Sequence, residues 1–194
     1  MKLLFLDFDG VISTFENHWK IDREKLSLLK KIIDNTDAKI IVTSSWKNGY
    51  KNVQDFITSL GRKDKNSDND IFQWFLNSIH GIIPTLLGSR GEEVRRYMLD
   101  LDSPIESYVI LDDDSDFEED QLFNFVETDS YEGITEREVK LCITILNGKK
   151  VINPIRLNLV LTTMWRNNCT GLEKNNIKDL LEKYYRRFPY SYSL

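Results

Sequence analysis

Asp7-Phe8-Asp9-Gly10 sets two carboxylates two residues apart at the end of an apolar run. One carboxylate of such a pair can attack while the other moves a proton. A phosphoryl group attacked by a carboxylate becomes an acyl phosphate, so hydrolysis splits into two displacements, the second of which needs a base to activate water. Asp7 and Asp9 can divide those roles, and Gly10 permits a tight turn or the close approach of a ligand. Two more polar sets end apolar runs: Thr43 and Ser44 after Ala38–Val42, and Asp112 and Asp113 after Tyr108–Leu111. So many carboxylates would repel an anionic substrate unless a cation intervenes. Hard oxygen ligands select Mg²⁺, which takes a few carboxylates together with water and phosphate oxygen.

Each piece has a plainer reading when taken alone. The first motif equally describes a turn with solvated carboxylates, and the acidic run 112–120 an exposed face; the ordered set points to a site. Asp112, Asp114 and Asp116 have the first spacings of a calcium loop, but its sixth position would be Phe117 instead of glycine and its twelfth Phe123 instead of glutamate. His18 and His80 lack partners at ligand or triad spacing and read as surface or satisfied side chains. Trp19, Trp46, Trp74 and Trp165 read as core or rim, with Trp46 close enough to the second motif to line an entrance.

The elements that must position these groups follow from periodicity. Leu3–Leu6 reads as a strand buried on both faces, and Ala38–Val42 as a second strand rich in β-branched residues. Between them Asp22 is a helix N-cap ahead of Leu26, Leu29, Ile32 and Ile33. Arg90–Leu101 predicts a helix, Tyr108–Leu111 a strand and Phe123–Val126 a further strand. Thr135 and Glu138 form a capping box before a stripe of Val139, Ile143 and Leu146. Gly61–Asp70 reads as a loop, and Ile71–Ile83 has no clear period. Leu157–Leu161 has strand-like composition, and Lys174–Phe188 predicts an amphipathic helix. Strand and helix alternate, which predicts an α/β three-layer sandwich around a mainly parallel sheet, with ligands at the carboxyl ends of its strands. Residues 1–150 form the expected catalytic domain and 151–194 an extension packed on it.

Composition sets the outer limits. The 194 residues are 41% hydrophobic and 29% charged with nine glycines and four prolines, which excludes collagen-like, low-complexity and globally disordered chains. A net charge of −5 disfavours general nucleic-acid binding through counterion release. Residues 151–194 nevertheless carry seven basic and three acidic side chains, a local excess that suits a nucleic-acid backbone or a solvated helix. Cys142 and Cys169 show no metal-binding or disulfide pattern. A cytoplasmic protein is expected, without a signal peptide or membrane span; the sequon at Asn168-Cys169-Thr170 reads as chance.

FLDFDGVI at 5–12, IIVTSS at 40–45 and VILDDDSD at 109–116, in that order, resemble motifs of the haloacid dehalogenase-like (HAD) superfamily, the second aspartate marking its phosphatase branch. More narrowly, TSSW, SRGEEV at 89–94 and ETDSYEGIT at 127–135 are similar to small HAD domains of bacterial RNA-repair (Swiss Army Knife) proteins. The resemblance implies a Rossmannoid fold and a Mg²⁺-dependent phosphatase. In it Asp7 is the nucleophile, the Asp9 carbonyl helps hold the metal while its side chain is acid/base, and Thr43 contacts phosphoryl oxygens, with Ser44 as fallback. It assigns Arg90 to phosphate neutralisation where lysine is commoner, leaving Lys47 and Lys51 as other cations. Asp113 is the favoured metal ligand and Asp112 the second, with Asp116 in an outer shell or capping a turn.

The intervals after the first and second motifs leave room for little or no cap, and an open site resembles relatives acting on macromolecular ends. The leading expectation is a phosphatase acting on a phosphorylated substrate such as a nucleic-acid terminus. A small-molecule phosphatase or nucleotidase with 45–88 or 151–194 as a lid is the alternative, and a non-catalytic phosphate- or partner-binding module is a third reading.

Overall fold

The structure is a computed structural model and describes residues 1–63 and 70–148. Five parallel strands form one sheet: β1 (Lys2–Leu6), β2 (Lys39–Val42), β3 (Ile79–Ile82), β4 (Ser107–Asp112) and β5 (Phe125–Glu127), in spatial order β3-β2-β1-β4-β5. Among the described residues α1 (Arg23–Thr36), α2 (Val53–Lys63), α3 (Asp70–Ser78) and α4 (Arg90–Leu99) lie between strands, and α5 (Glu136–Leu146) follows β5. This is the parallel α/β architecture that the alternating pattern predicts and the Rossmannoid fold that the resemblance implies.

β1 becomes the central strand because Leu3, Leu4, Phe5 and Leu6 are apolar on both faces, so each side of the sheet can be covered. It pairs with β2 in the register Leu6↔Val42 and with β4 in the register Leu6↔Leu111. α1 packs against both α3 and α5, forming a helical layer with them. α4 meets the sheet through Tyr97, whose ring stands edge-on to Phe5 at 6.0 Å.

Local signals act as the sequence predicts. Asp22 caps α1 by accepting from the Glu24 and Lys25 amides, and Asp37 ends that helix in a left-handed conformation at φ 57°. At α5 the Thr135–Glu138 capping box is formed in both directions.

Between residues 53 and 83 the structure differs from the sequence reading. Gly61–Lys63 belongs to the end of α2, and Asp70 already starts α3; the rest of the expected loop, 64–69, lies outside the described residues. The stretch of unclear period divides into α3 and β3. Its mixed signal is a helix face of Phe72, Phe75 and Leu76 running directly into an edge strand in which only Ile79 and Gly81 are buried. The strand-like and helical stretches expected after residue 150 also lie outside the described residues.

Candidate active site

Sheet order determines the convergence. β2, β1 and β4 are neighbours, so their carboxyl ends bring the three polar motifs together where chain connections diverge to either side of β1. The ladder continues one step beyond the strands: the Thr43 amide donates to Leu6 O at 2.9 Å and the Asp7 amide to Leu111 O at 3.0 Å. Asp7 and Asp112, only 4% and 0% exposed, are held in place by backbone pairing.

Arg90 reaches both carboxylates. Its Nη1 lies 3.2 Å from Asp7 Oδ1 and 2.5 Å from Asp112 Oδ2. The start of α4 is pinned for this purpose. Ser89 Oγ accepts from the Glu92 amide, Asp116 Oδ2 accepts from the Arg90 amide at 3.1 Å, and Asp116 O accepts from the Gly91 amide at 3.0 Å. Gly91 is required by close packing, since a Cβ there would sit 2.7 Å from the Glu118 nitrogen. Asp116 thus caps the helix that presents Arg90.

Asp7, Asp112 and Asp113 each offer an oxygen within 4.8 Å of the others, close to the ~4 Å that separates oxygens across one Mg²⁺. Gly10 makes that proximity possible. It adopts φ +72°, and a Cβ on it would lie 2.2 Å from Asp113 Cγ and Oδ2. Among these residues negative charge is in excess. Burial and then the Asp112 charge push the Asp7 carboxyl up to about 8, with Arg90 pulling in the opposite direction. Burial likewise raises Asp112 to about 6 against the opposing pull of Arg90, and raises Asp113. Burial works against the Arg90 charge, but Asp112 and Asp7 outweigh it, so its pKa rises. Three hard carboxylates facing one guanidinium fit a divalent cation.

The Asp9 side chain is held apart from that cluster. Trp46 Nε1 donates to Asp9 Oδ2 at 2.8 Å, and Ser13 Oγ lies 3.4 Å from Oδ1. The indole and the Ser13 hydroxyl both donate, so each Asp9 oxygen accepts one hydrogen bond; the indole can only donate, whereas the longer, rotatable hydroxyl contact leaves Oδ1 as the oxygen better placed to exchange a proton. Thr43 is 1% exposed, and its buried Oγ1 has no hydrogen-bond partner among the described residues. A hydroxyl left open in this way beside Asp7 is suited to a ligand oxygen. The Ser44 hydroxyl accepts from the Trp46 amide at 3.4 Å and starts the single 3₁₀ turn Ser45–Lys47.

The other cations lie elsewhere. Lys47 is buried, with Nζ 3.4 Å from Glu93 Oε2 and 3.4 Å from Thr85 Oγ1, while Glu93 Oε1 accepts from the Leu86 amide. Lys51 is exposed and lines a cleft of about 300 Å³ beside Tyr50 and Tyr97. His18 and His80 are exposed and contribute nothing to the cluster.

The central carboxyl ends of the parallel sheet thus carry a buried aspartate and two further aspartates, with an arginine from the start of α4 in contact with two of the three. The chain belongs to the family described as the HAD domain in Swiss Army Knife RNA repair proteins, which matches residues 3–139. No curated protein and no solved structure matches the chain. Among the described residues no helix is long and apolar enough to cross a membrane.

Some functional contacts were beyond sequence reasoning. The Trp46 indole on Asp9 and the Lys47–Glu93 pair connect residues 37 and 46 positions apart. The sequence cues were the adjacency of Trp46 and Lys47 to the second motif and the place of Glu93 within the SRGEEV stretch, neither of which pairs the residues.

Proposed function

We propose that the chain is a Mg²⁺-dependent phosphohydrolase that works through an aspartyl-phosphate on Asp7, with a nucleic-acid terminal phosphate or another macromolecular phosphomonoester as substrate. The observation that carries this reading is Asp7 itself: a buried carboxylate 3.2 Å from Arg90 with two more carboxylates in reach. Membership of a HAD family named for RNA repair supports the reaction class and the kind of substrate.

In the first displacement an Asp7 oxygen bonds to phosphorus while the ester P–O bond breaks, and the proton on Asp9 Oδ1 passes to the leaving oxygen. Water then attacks the acyl phosphate and gives its proton to Asp9. The P–O bond to Asp7 breaks, freeing phosphate. Arg90 neutralises the phosphoryl oxygens, and the Thr43 hydroxyl donates to one of them. When bound, Mg²⁺ supplies positive charge to the anionic substrate and lets Asp7 stay ionised, with Asp7, Asp112 and Asp113 as its carboxylate ligands and the Asp9 carbonyl as a further one.

The test is phosphate release from an aryl phosphate and from 3′- and 5′-phosphorylated oligonucleotides, with Mg²⁺ or EDTA. Asp7→Asn keeps side-chain volume and removes the nucleophile, so turnover should fall at least about a thousandfold while circular dichroism is retained. Near-wild-type turnover by that variant would refute the mechanism.

A further inference from the structure

Three large aromatic side chains stand in water on loops that leave the carboxyl end of the sheet. Phe15 and Trp19 follow β1 and Tyr131 follows β5, with exposures of 61%, 47% and 58%. Phe15 links them: its ring centroid is 5.8 Å from Tyr131 at an interplanar angle of 32°, and 6.3 Å from Trp19 at 81°. Rings of this size are usually buried on average, so an exposed cluster marks a contact surface.

The backbone holds this display against local preference. His18 and Trp19 adopt φ 59° and 58°, the left-handed region that bulky L-residues avoid. The Trp19 amide donates to Thr14 O at 2.9 Å and Asn17 Oδ1 accepts from the Thr14 amide at 3.1 Å, fixing the turn. Strain of this kind gathers where a side chain must be presented.

The cluster is continuous with the phosphoryl site. Ser13 Oγ is 3.4 Å from Asp9 Oδ1, and Phe15 is two residues beyond, a step of at most ~7 Å along the chain. Thr128 Oγ1 donates to Gly10 O at 2.8 Å and the Ile134 amide to Val11 O at 2.9 Å, tying the Tyr131 loop to the Asp9-Gly10 turn. Glu16 and Glu132, both exposed, flank the rings and offset Lys20. Around the rings this charge balance offers phosphates little attraction, so recognition there falls to the aromatic faces, which accept an uncharged base of any sequence.

We infer that Phe15, Trp19 and Tyr131 form a stacking platform for the nucleobase of a nucleotide whose phosphate sits at Asp7. The inference rests on the phosphohydrolase reading for the position of that phosphate. The nucleotide is either free or the end of an oligonucleotide.

The test measures binding apart from turnover, by calorimetry on the full chain carrying Asp7→Asn. The probes are adenosine monophosphate, 5′- and 3′-phosphorylated adenylate trinucleotides, and base-free ribose 5-phosphate. Nucleotide probes should bind more tightly than ribose 5-phosphate, and Phe15→Ala or Tyr131→Ala should reduce that preference by about 5- to 150-fold per stacked base. Trp19→Gly removes a ring while relieving the left-handed backbone, so lost affinity with an undiminished melting temperature excludes unfolding as the cause. A gain for the monophosphate that both trinucleotides lack identifies a free nucleotide, and a gain that a trinucleotide shares or exceeds identifies an oligonucleotide end; either supports the platform. Equal affinity for base-containing and base-free probes, or ring variants that keep the preference, would overturn it. Ring-dependent binding without Asp7-dependent turnover in the otherwise native chain would overturn the phosphohydrolase reading alone.

Discussion

Replacing Gly10 by alanine separates backbone strain from damage to the carboxylate cluster. Gly10 sits at φ +72°, where an alanine costs about 1–2 kcal/mol. The new Cβ would also lie 2.2 Å from Asp113 Cγ and Oδ2, whereas ordinary contact begins at 3.4 Å, so that carboxylate must retreat by more than 1 Å. Asp113 has the room to rotate because it is half-exposed, which keeps the folding cost small but removes one ligand oxygen from reach of Asp7 and Asp112. Gly148 supplies the control. It has φ +71° with nothing among the described residues within 4 Å of where a methyl group would stand, and its neighbour Asn147 accepts from Lys2 Nζ at the amino end of β1, away from the site. Both alanine variants should lose about 1–2 kcal/mol in urea titrations. Only Gly10→Ala should weaken Mg²⁺ binding, by at least about 10- to 100-fold, the loss that disturbing even an outer-shell partner brings. Calorimetric titration of Mg²⁺ into the full-length proteins reads this directly. Equal Mg²⁺ affinity in the two variants would refute the assignment of Asp113 to the cluster.

Three other outcomes follow from the same geometry. Trp46→Phe removes the donor to Asp9 Oδ2 while keeping an aromatic ring against Phe8, so kcat should fall about tenfold or more with KM little changed; an unaltered kcat would show that Asp9 needs no such partner. Lys47→Met leaves Glu93 buried without its cation and should cost about 3–5 kcal/mol in urea unfolding, with Lys47→Met/Glu93→Leu recovering part of the loss; a single-variant cost below about 1 kcal/mol would count against the pair. In EDTA the folded chain retains protons on Asp7 up to about 8 and on Asp112 up to about 6, which the unfolded chain releases near 4, so stability should fall as pH rises from about 4 to 8. Thermal melts at pH 5 and pH 8 should show that fall, and both Mg²⁺ and Asp7→Asn should reduce it; a higher melting temperature at pH 8 in EDTA would contradict the raised carboxyls.

The sequence by itself determined the pieces whose signals are local. Apolar runs became β1, β2 and β4, because a strand buried on both faces must be apolar, while the run expected at 123–126 gave the edge strand β5 only over Phe125–Glu127, where one neighbour and partial burial suffice. The caps at Asp22 and Thr135 depend on side chains within three residues of the amides they serve. β3 was not legible: its His80 and Gly81 obscure the pattern, and an edge strand needs burial on only part of its length. Ordered motifs at strand ends named Asp7, Asp9, Thr43, Asp112 and Asp113 as candidates, and the family resemblance added Arg90 at a helix start. Only tertiary structure decided how they meet. Strand order β2-β1-β4 brings residues more than a hundred positions apart side by side, Arg90 is aimed by a capping aspartate 26 residues away, and Gly10 clears the space that Asp113 fills. The Trp46–Asp9 and Lys47–Glu93 contacts and the exposed ring cluster likewise join separate loops. Such contacts leave no periodic trace in a chain, because their partners are selected by the packing of the whole sheet.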